Sequence, residues 1–302
     1  MRQAVSIAIL CAFAAIAAGL WAPAAAGEDH SVEALREALL FHASFDNGLD
    51  ADFAAGDPVF YTAPGWSERN QREPGIQEGH LVEWAKNEGR TGSALRRMGS
   101  MDPVVFFRGG PNIGYSRDNW EGTVSVWMQI DPDEDLAPGW SDPLQLAGAE
   151  WSDGVMFFNF SRDETPRHFR LSMPPVRDLW NPEGTPWEEV PLDERPMTQT
   201  PNPPYFGSDR WTHCVFTFEN VNTGEDDGVG RLYVNGDFIG EITGFDLRMD
   251  WGEEENDIVL GMHYVGLLDD LTVFNRALTR EEVEALYTLE QGAAELHEND
   301  SE

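Results

Sequence analysis

Gly266-Leu-Leu-Asp-Asp-Leu-Thr-Val-Phe-Asn-Arg-Ala-Leu278 is the stretch that decides how this 302-residue chain folds. It overlaps residues 258–274, an apolar run that glycines divide, and this pattern predicts two strand segments. A helix is predicted directly afterwards, because Thr279 is an N-cap residue and Glu282 completes a capping box. The apolar residues of that helix share one stripe that can dock on the strands: Val283, Leu286 and Tyr287.

Period-two alternation of apolar and polar residues recurs upstream of this stretch. In residues 123–130 and 167–173 every second residue is apolar, which predicts strands with one apolar face. Residues 155–160 are apolar on both faces, as in a strand buried between two layers. Asn235-Gly236 favours a type I′ hairpin turn, because both central residues of that turn need positive φ. The chain is therefore predicted to be an all-β protein.

The charge balance is strongly acidic and limits the classes of partner. The chain has 54 acidic and 20 basic residues, a formal net charge of −34. Such a surface repels nucleic acid and anionic lipid at long range, so no nucleic-acid partner is expected. Cations fit this charge, as do neutral partners recognised by stacking and hydrogen bonds. The alternative is that the acidic surface is simply solvated and recognises no partner.

The first 26 residues have the pattern of an export signal. Met1-Arg2 supplies a positive start, residues 4–20 are nearly all apolar, and Ala24-Ala25-Ala26 offers a small-residue cleavage site. The mature chain is then expected to begin near Gly27 and to be secreted, periplasmic or at the cell surface. An uncleaved membrane anchor is the alternative; no later stretch approaches the ~20 apolar residues of a membrane span, so no membrane insertion of the mature chain is expected.

Removal of that signal leaves Cys214 as the one cysteine, which excludes an intrachain disulfide. Cys214 lies in the alternating run 211–218, where it shares a face with Phe216 and Phe218. This position predicts a buried structural thiol rather than a nucleophile.

The domain organisation is expected to be simple. A lead-in over 27–38, with a short helix, precedes one domain at 39–290, and an acidic tail follows at 291–302, with residues from Glu295 onward expected to be frayed. Residues 174–204 interrupt the strand pattern, because they hold 9 of the 19 prolines and cannot form a continuous ladder. This segment is predicted to be a long ordered loop or a flexible flap.

Several motifs, in this order along the chain, resemble the laminin G-like and concanavalin A-like lectin/glucanase superfamily. They are Phe41-His-Ala-Ser-Phe-Asp46, Gly122-Thr-Val-Ser-Val-Trp127, Trp211-Thr-His213, Arg231-Leu-Tyr-Val-Asn-Gly236 and the Gly266–Leu278 stretch. The resemblance implies a two-sheet antiparallel jelly-roll sandwich, here closed by a short C-terminal helix. Such domains are often attached to sugar-degrading or adhesive proteins, but the fold does not by itself specify an activity.

The acidic residues do not form the catalytic pattern of the superfamily's glucanases, a Glu-x-Asp-x-(x)-Glu strand. Glu150 and Asp153 have a spacing that places them on opposite faces of a strand. The acids of 253–257 share a face if extended, but follow Gly252 and are better interpreted as a turn entering a strand. No motif of sandwich-fold lyases is present either. Whether the chain is an enzyme stays open, with the missing motifs favouring a noncatalytic role.

Aromatic residues in loop-like sequence are the candidate ligand-binding residues. Exposed rings in Pro- and Gly-rich segments are available to stack on sugars, whereas tryptophans in strand patterns are expected in the core. The alternative is that each of these rings packs against its own loop and binds no ligand. The candidates are Trp66, Trp140, Trp180, Trp187 and Tyr205.

A structural calcium ion is the candidate cofactor. The first and last strands of jelly-roll modules are often neighbours, so Asp46 is expected near Asp269 and Asp270. Ca²⁺ binds several carboxylate and carbonyl oxygens at about 2.3–2.6 Å. The alternative is that Asp46 begins a turn and Asp269 caps a strand.

These observations favour an exported, noncatalytic module that binds carbohydrate or a cell-surface glycan. A polysaccharide-degrading hydrolase or lyase, with acids brought together from different strands, is the second hypothesis. A structural or adhesive surface protein is the third. The oligomeric state is not specified by the sequence.

Overall fold

The computed structural model describes residues 24–79, 81–99, 102–162, 164–201 and 205–297. The predicted export signal at 1–26 lies outside these residues except for its last three positions. No helix within the described residues is long and apolar enough to cross a membrane.

The described chain is mostly strand, with a few short helices. The strands are β1 Leu39–Ala43, β2 Phe53–Ala54, β3 Tyr61–Ala63, β4 Glu73–Pro74, β5 Val82–Ala85, β6 Ala94–Met98, β7 Val104–Arg108, β8 Trp120–Ile130, β9 Ser141–Ala147, β10 Val155–Phe160, β11 Phe169–Ser172, β12 Met197–Gln199, β13 Gly207–Val221, β14 Gly228–Val234, β15 Asp237–Phe245, β16 Asp257–Met262 and β17 Val265–Phe274. The α-helices are α1 Ala24–Ala38, α2 Pro132–Asp135, α3 Arg177–Trp180 and α4 Arg280–Thr288. The 3₁₀-helices are Trp66–Gln71, Gly110–Ile113, Trp151–Asp153, Trp187–Glu189, Leu192–Glu194 and Gly292–Leu296.

Two antiparallel sheets form the predicted sandwich, so the expected fold class is confirmed. The first sheet runs β15-β14-β13-β8-β17-β1-β2, with β6 and β5 joined beside β17. The second sheet runs β12-β11-β10-β9-β16-β7-β3-β4. Several neighbouring strands are far apart in the sequence. In the first sheet β8 lies between β13 and β17, and in the second sheet β16 lies between β9 and β7.

The main core lies between the two sheets and contains the apolar faces predicted from alternation. The alternate residues Val124, Val126, Met128 and Ile130 of β8 are all buried in it. Every residue of β10 is buried, as predicted for residues that are apolar on both faces. Cys214 is fully buried beside Phe216, and burial raises the pKa of its thiol well above the usual value. The thiol is therefore a packing group.

Local turn and cap signals also have the predicted geometry. Asn235 and Gly236 both have positive φ, 52° and 80°, in the turn that joins β14 to β15. Thr279 Oγ1 accepts from the Glu282 N–H, while the Glu282 carboxylate accepts from the Thr279 N–H at 2.8 Å. The capping box is thus complete, and α4 begins where it was predicted.

Helices α1 and α4 cover the outer face of the first sheet. Their apolar residues join sheet residues in one buried cluster, which includes Leu35, Val215, Val283 and Leu286. The 3₁₀-helix Gly292–Leu296 adds to it, and the Leu296 carbonyl accepts from Arg36 Nε at 2.7 Å. The expectation of fraying from Glu295 onward is therefore wrong for Glu295 and Leu296, because the buried Leu296 side chain and this hydrogen bond anchor them.

The outer face of the second sheet has a different cover. Alternate residues of its central strands form an apolar cluster there, with Phe106, Val155, Phe157, Val259 and Met262 among its members. No α-helix as long as α4 packs on this cluster in the described part of the chain; instead, loops and short helical turns surround it.

Candidate functional site

A local irregularity in β16 places a side chain on the outer face of the second sheet. In β16, Ile258 and Leu260 belong to the core between the sheets, whereas Met262 belongs to the outer cluster. Gly261 between them has φ +67°, a left-handed conformation that breaks the alternation. The facing strand β9 pairs Asp142 with Met262, so a carboxylate lies beside this apolar floor.

A cavity of about 520 Å³ opens above this floor. We call it the aromatic cavity, because four tryptophans line it: Trp140, Trp151, Trp180 and Trp187. Phe157, Met262 and Asp142 also line it. Three of the five aromatic residues predicted to bind ligand therefore meet in one place, although they are up to 47 residues apart in the sequence.

The proline-rich segment 174–204 provides one wall of the aromatic cavity. Trp180, at the end of α3, meets Trp187 edge to face, with ring centroids 5.4 Å apart. The Asn181 side chain both donates to the Thr185 carbonyl at 2.8 Å and accepts from the Thr185 N–H at 2.9 Å. This closed turn holds the two tryptophans together, so the described part of the segment, 174–201, is an ordered loop.

The opposite wall comes from loops at the ends of β9. Trp140 and Trp151 expose 37% and 40% of their surface, which is unusually high for tryptophan in a folded domain. Trp151 packs edge to face on Phe157, with centroids 5.6 Å apart. Its position is thereby fixed while a large part of its surface stays accessible.

The polar groups at the cavity are incompletely paired. Asp142 Oδ2 accepts from Gln145 Nε2 at 2.8 Å, but Asp142 Oδ1 is buried and has no hydrogen-bond partner among the described residues. Burial raises the pKa of Asp142 to about 7. Trp187 Nε1 is likewise buried without an acceptor in the described structure. Unpaired buried groups of this kind cost about 1–3 kcal/mol each, so a ligand that pairs them gains that amount.

A second opening of about 840 Å³ lies on the same sheet, and we call it the polar cleft. Three arginines line it, Arg69, Arg72 and Arg108, together with six acidic residues: Asp57, Glu150, Glu253, Glu254, Glu255 and Asp257. The buried Asp257 pairs with Arg69 Nε at 2.8 Å and Arg108 Nη1 at 2.7 Å. Burial raises the pKa of Asp257, and these two guanidinium groups oppose that shift.

Trp66 belongs to the polar cleft rather than to the aromatic cavity. It is buried, and the Arg69 guanidinium lies 4.0 Å from its ring centroid. Trp66 also stacks on Trp151, with centroids 5.7 Å apart and an interplanar angle of 27°. Tyr205 lines neither opening: it is partly buried against the core between the sheets.

The proposed calcium ligands lie on the first sheet, where β17 passes from its pairing with β6 to its pairing with β1. Asp46 Oδ1 accepts from the Ser93 N–H at 2.8 Å, and Asp269 Oδ2 accepts from the Arg90 N–H at 2.6 Å. Asp270 Oδ1 is hydrogen-bonded to His42 Nε2 at 2.7 Å instead. Burial and the neighbouring Asp270 carboxylate raise the pKa of Asp269 to about 8.

Backbone oxygens converge on the same loop. A methyl group added to Gly89 would clash with the Thr91 carbonyl oxygen and would lie 2.5 Å from that of Ser93 and 2.8 Å from Asp269 Oδ2. Within the described residues, no group of three or more His, Cys, Asp or Glu side chains is arranged to hold a metal. Carbonyl oxygens would therefore have to complete a calcium shell begun by Asp46 and Asp269, which is acceptable chemistry for this ion.

Sequence reasoning missed Trp151, Phe157 and Asp142. Trp151 lies between Gly148 and Gly154 in the β9–β10 connection, and this turn signal was available beside the ring. Phe157 was correctly placed in a strand that is buried on both faces, but a buried strand does not predict a cavity floor. Asp142 gave no signal, because its outward position depends on the register of β9.

Comparison with protein families identifies one match. A family model described as "Concanavalin A-like lectin/glucanases superfamily" matches residues 111–284, more than half of the chain. All residues named above for the aromatic cavity lie within this range, whereas Trp66, Arg69 and Arg72 precede it. No match was found among curated proteins.

Solved structures with the same fold are distant in sequence. Domain 4 of AbnA, a GH43 extracellular arabinanase from Geobacillus stearothermophilus solved with arabinotriose, has a TM-score of 0.50 and 17% identity, covering 82% of this chain and 97% of that one. The binding domain of Paraclostridial Mosquitocidal Protein 1 has a TM-score of 0.53 and 16% identity, with coverages of 84% and 52%. The botulinum neurotoxin serotype D ligand-binding domain, solved with N-acetylneuraminic acid, has a TM-score of 0.53 and 12% identity, with coverages of 85% and 52%. The chain thus spans about half of each toxin domain, and these likenesses concern the fold.

Proposed function

This chain belongs to the concanavalin A-like lectin/glucanase superfamily, and we propose that it is a carbohydrate-binding module whose site is the aromatic cavity. The observation that carries the proposal is the meeting of four tryptophans with two unpaired buried polar atoms, Asp142 Oδ1 and Trp187 Nε1. Binding cavities are typically apolar with a few convergent polar groups that set the ligand's orientation. This one has both components.

A sugar has the chemistry that this combination requires. The carbon–hydrogen faces of a sugar ring pack on indole rings, which supply large contact area at low entropic cost. A hydroxyl group both donates and accepts, so one kind of ligand group supplies the donor that Asp142 lacks and the acceptor that Trp187 lacks. An aliphatic ligand would leave both atoms unpaired, and an anionic ligand would have to approach a strongly acidic protein.

The fold neighbours support the same proposal. The arabinanase domain was solved with arabinotriose, and the neurotoxin domain with N-acetylneuraminic acid. The net charge of −34 favours neutral over anionic glycans for this chain. We infer that the chain acts in an exported, extracellular or cell-surface setting, where such glycans occur.

The test is a glycan array followed by titration calorimetry on each neutral glycan that binds. Trp180→Ala and Trp187→Ala are expected to weaken binding at least tenfold, because each removes one of the two indole rings that form this wall of the cavity. Phe238→Ala is the matched control, since Phe238 is an exposed aromatic residue on β15, outside both openings. Absence of binding to any glycan, or equal effects of all three substitutions, contradicts the proposal.

Hydrolysis at the polar cleft is the second candidate function. The observation that favours it is the convergence of acids from separate segments, Asp57, Glu150 and Asp257 among them. Glycosidases need two carboxyl groups flanking the scissile bond, one of them protonated. Asp257 is already paired with two arginines, which makes it a poor proton donor. Release of shorter products from a panel of polysaccharides, lost in Glu150→Gln, would establish this function in place of simple binding.

Calcium is proposed as a structural ion held by Asp46, Asp269 and carbonyl oxygens of the Gly89–Ser93 loop. A divalent cation would favour the ionised form of Asp269, which burial disfavours. Its role would be to fasten this loop to β17 of the first sheet, away from the aromatic cavity.

A further inference from the structure

The aromatic cavity and the polar cleft share a wall. Trp151 lines the cavity, while its chain neighbours Ala149 and Glu150 line the cleft. Trp66 lines the cleft and stacks on Trp151 at 5.7 Å. The two openings are therefore separated only by a ridge made of this stacked pair and the 149–151 turn.

The cleft side of the ridge has a buried, unpaired donor of its own. Trp66 is 9% exposed, and its Nε1 has no acceptor among the described residues. The ring is held in place by the Arg69 guanidinium on one side, and Arg69 is in turn held by Asp257 and by the Gly148 carbonyl. A ligand acceptor that reached this donor would remove the cost of leaving it unpaired.

We propose that the two openings form one extended groove, so that the ligand is a neutral oligosaccharide chain with sugars on both sides of the ridge. This inference rests on the proposed carbohydrate-binding function and adds the class of glycan. In the cavity, stacking on tryptophan dominates; in the cleft, the Trp66 N–H and exposed polar side chains hydrogen-bond the next sugars. A monosaccharide would leave the second half of the groove empty.

The charges of the cleft select for a neutral chain. Six carboxylates and three guanidinium groups line it, and two of those guanidinium groups are both paired with Asp257. This acidic excess repels uronates and sulfated sugars, which would also have to approach a strongly acidic protein. The hydroxyl groups of a neutral sugar can donate to the exposed acids without this cost.

The experiment measures affinity against chain length in the full-length protein. Xylo-, cello- and arabino-oligosaccharides from two to six sugars are titrated calorimetrically, with oligogalacturonides as the anionic series. In the neutral series that binds, the Kd is expected to fall at least tenfold from the trimer to the hexamer. A Kd that is the same for trimer and hexamer overturns the extended groove, while the proposed binding site stands. Absence of binding by every member overturns the proposed function itself.

Two variants locate the added affinity. Trp66→Phe removes the unpaired N–H, and Asn70→Leu replaces an exposed polar residue of the cleft with a branched apolar one. Both are expected to reduce the trimer-to-hexamer gain to less than threefold and to leave trimer binding within twofold. Thr243→Leu on β15, exposed and outside the groove, is the control. Equal weakening of trimer and hexamer by Asn70→Leu, or an equal gain with oligogalacturonides, contradicts the inference.

Discussion

The outer faces of the two sheets begin with the same kind of apolar surface and end differently. The first is sealed by α1 and α4, whose stripes bury Val283 and Leu286 against sheet residues such as Val215. The second is flanked by loops that hold Trp140 and Trp151 at its edge, with more than a third of each ring exposed. The difference shows what each kind of cover does: a helix closes an apolar face, while a proline-rich loop leaves a walled cavity over it.

The largest expected effect concerns the sealed face. Leu286→Ala is expected to lower the free energy of unfolding by about 2–5 kcal/mol, because Leu286 is buried and its truncation leaves a cavity. Urea denaturation measures this loss, and glycan affinity should change less than twofold in the folded fraction. A large loss of affinity would show that packing on the sealed face also controls glycan binding on the open face.

The open face contains a carboxylate that makes folding depend on pH. Burial raises the pKa of Asp142 from 3.8 to about 7, so the folded state holds a proton that the unfolded state releases. Its contribution to stability is therefore fully present below about pH 4 and falls as the pH rises to about 7. Asp142→Asn should stabilise the protein at pH 7 by about 2–4 kcal/mol, since one pKa unit is worth ~1.4 kcal/mol, and should have little effect at pH 3.8.

The measurement for Asp142 is the difference in unfolding free energy between wild type and Asp142→Asn across pH 4–8. Subtracting the two curves removes the contribution of Asp269, whose pKa is also raised, to about 8. A difference that does not change with pH would show that Asp142 is ionised in the folded protein and already paired.

Calcium is expected to act on the first sheet only. If Asp46 and Asp269 hold the ion, calcium at 100 times its Kd should add about 2.7 kcal/mol to the free energy of unfolding, and a chelator should remove it. Asp269→Asn should abolish the gain, whereas Asp209→Asn, an exposed control on β13, should keep it. Equal melting temperatures with calcium and with chelator would exclude a structural calcium site.

The smallest expected change in stability belongs to the open face. Trp140→Ala should alter the free energy of unfolding by no more than about 0.5–1 kcal/mol, because the ring is more than one-third exposed. Glycan binding should nevertheless weaken several-fold. Thermal unfolding and calorimetry on the same samples separate the two effects; a destabilisation as large as that of Leu286→Ala would identify Trp140 as a packing anchor.

Much of the fold could be predicted because its signals are local. Alternation placed Val124 and Val126 in the core, positive φ was predicted for Asn235, and the Thr279 capping box marked the start of α4. The start of the tail, Glu295 and Leu296, was predicted incorrectly to be frayed, because its anchoring depends on contacts with residues more than 250 positions away, such as that between Arg36 and Leu296.

The candidate site was predicted only in part, for the same reason. The proline pattern alone was enough to place Trp180 and Trp187 in a loop, since proline excludes a regular strand ladder there. Only the tertiary structure brought these rings to Trp140 and Trp151, and excluded Tyr205, because strand order decides which loops meet. It also turned Met262 outward at Gly261 and placed Asp142 beside it, since register is a property of paired strands rather than of one segment.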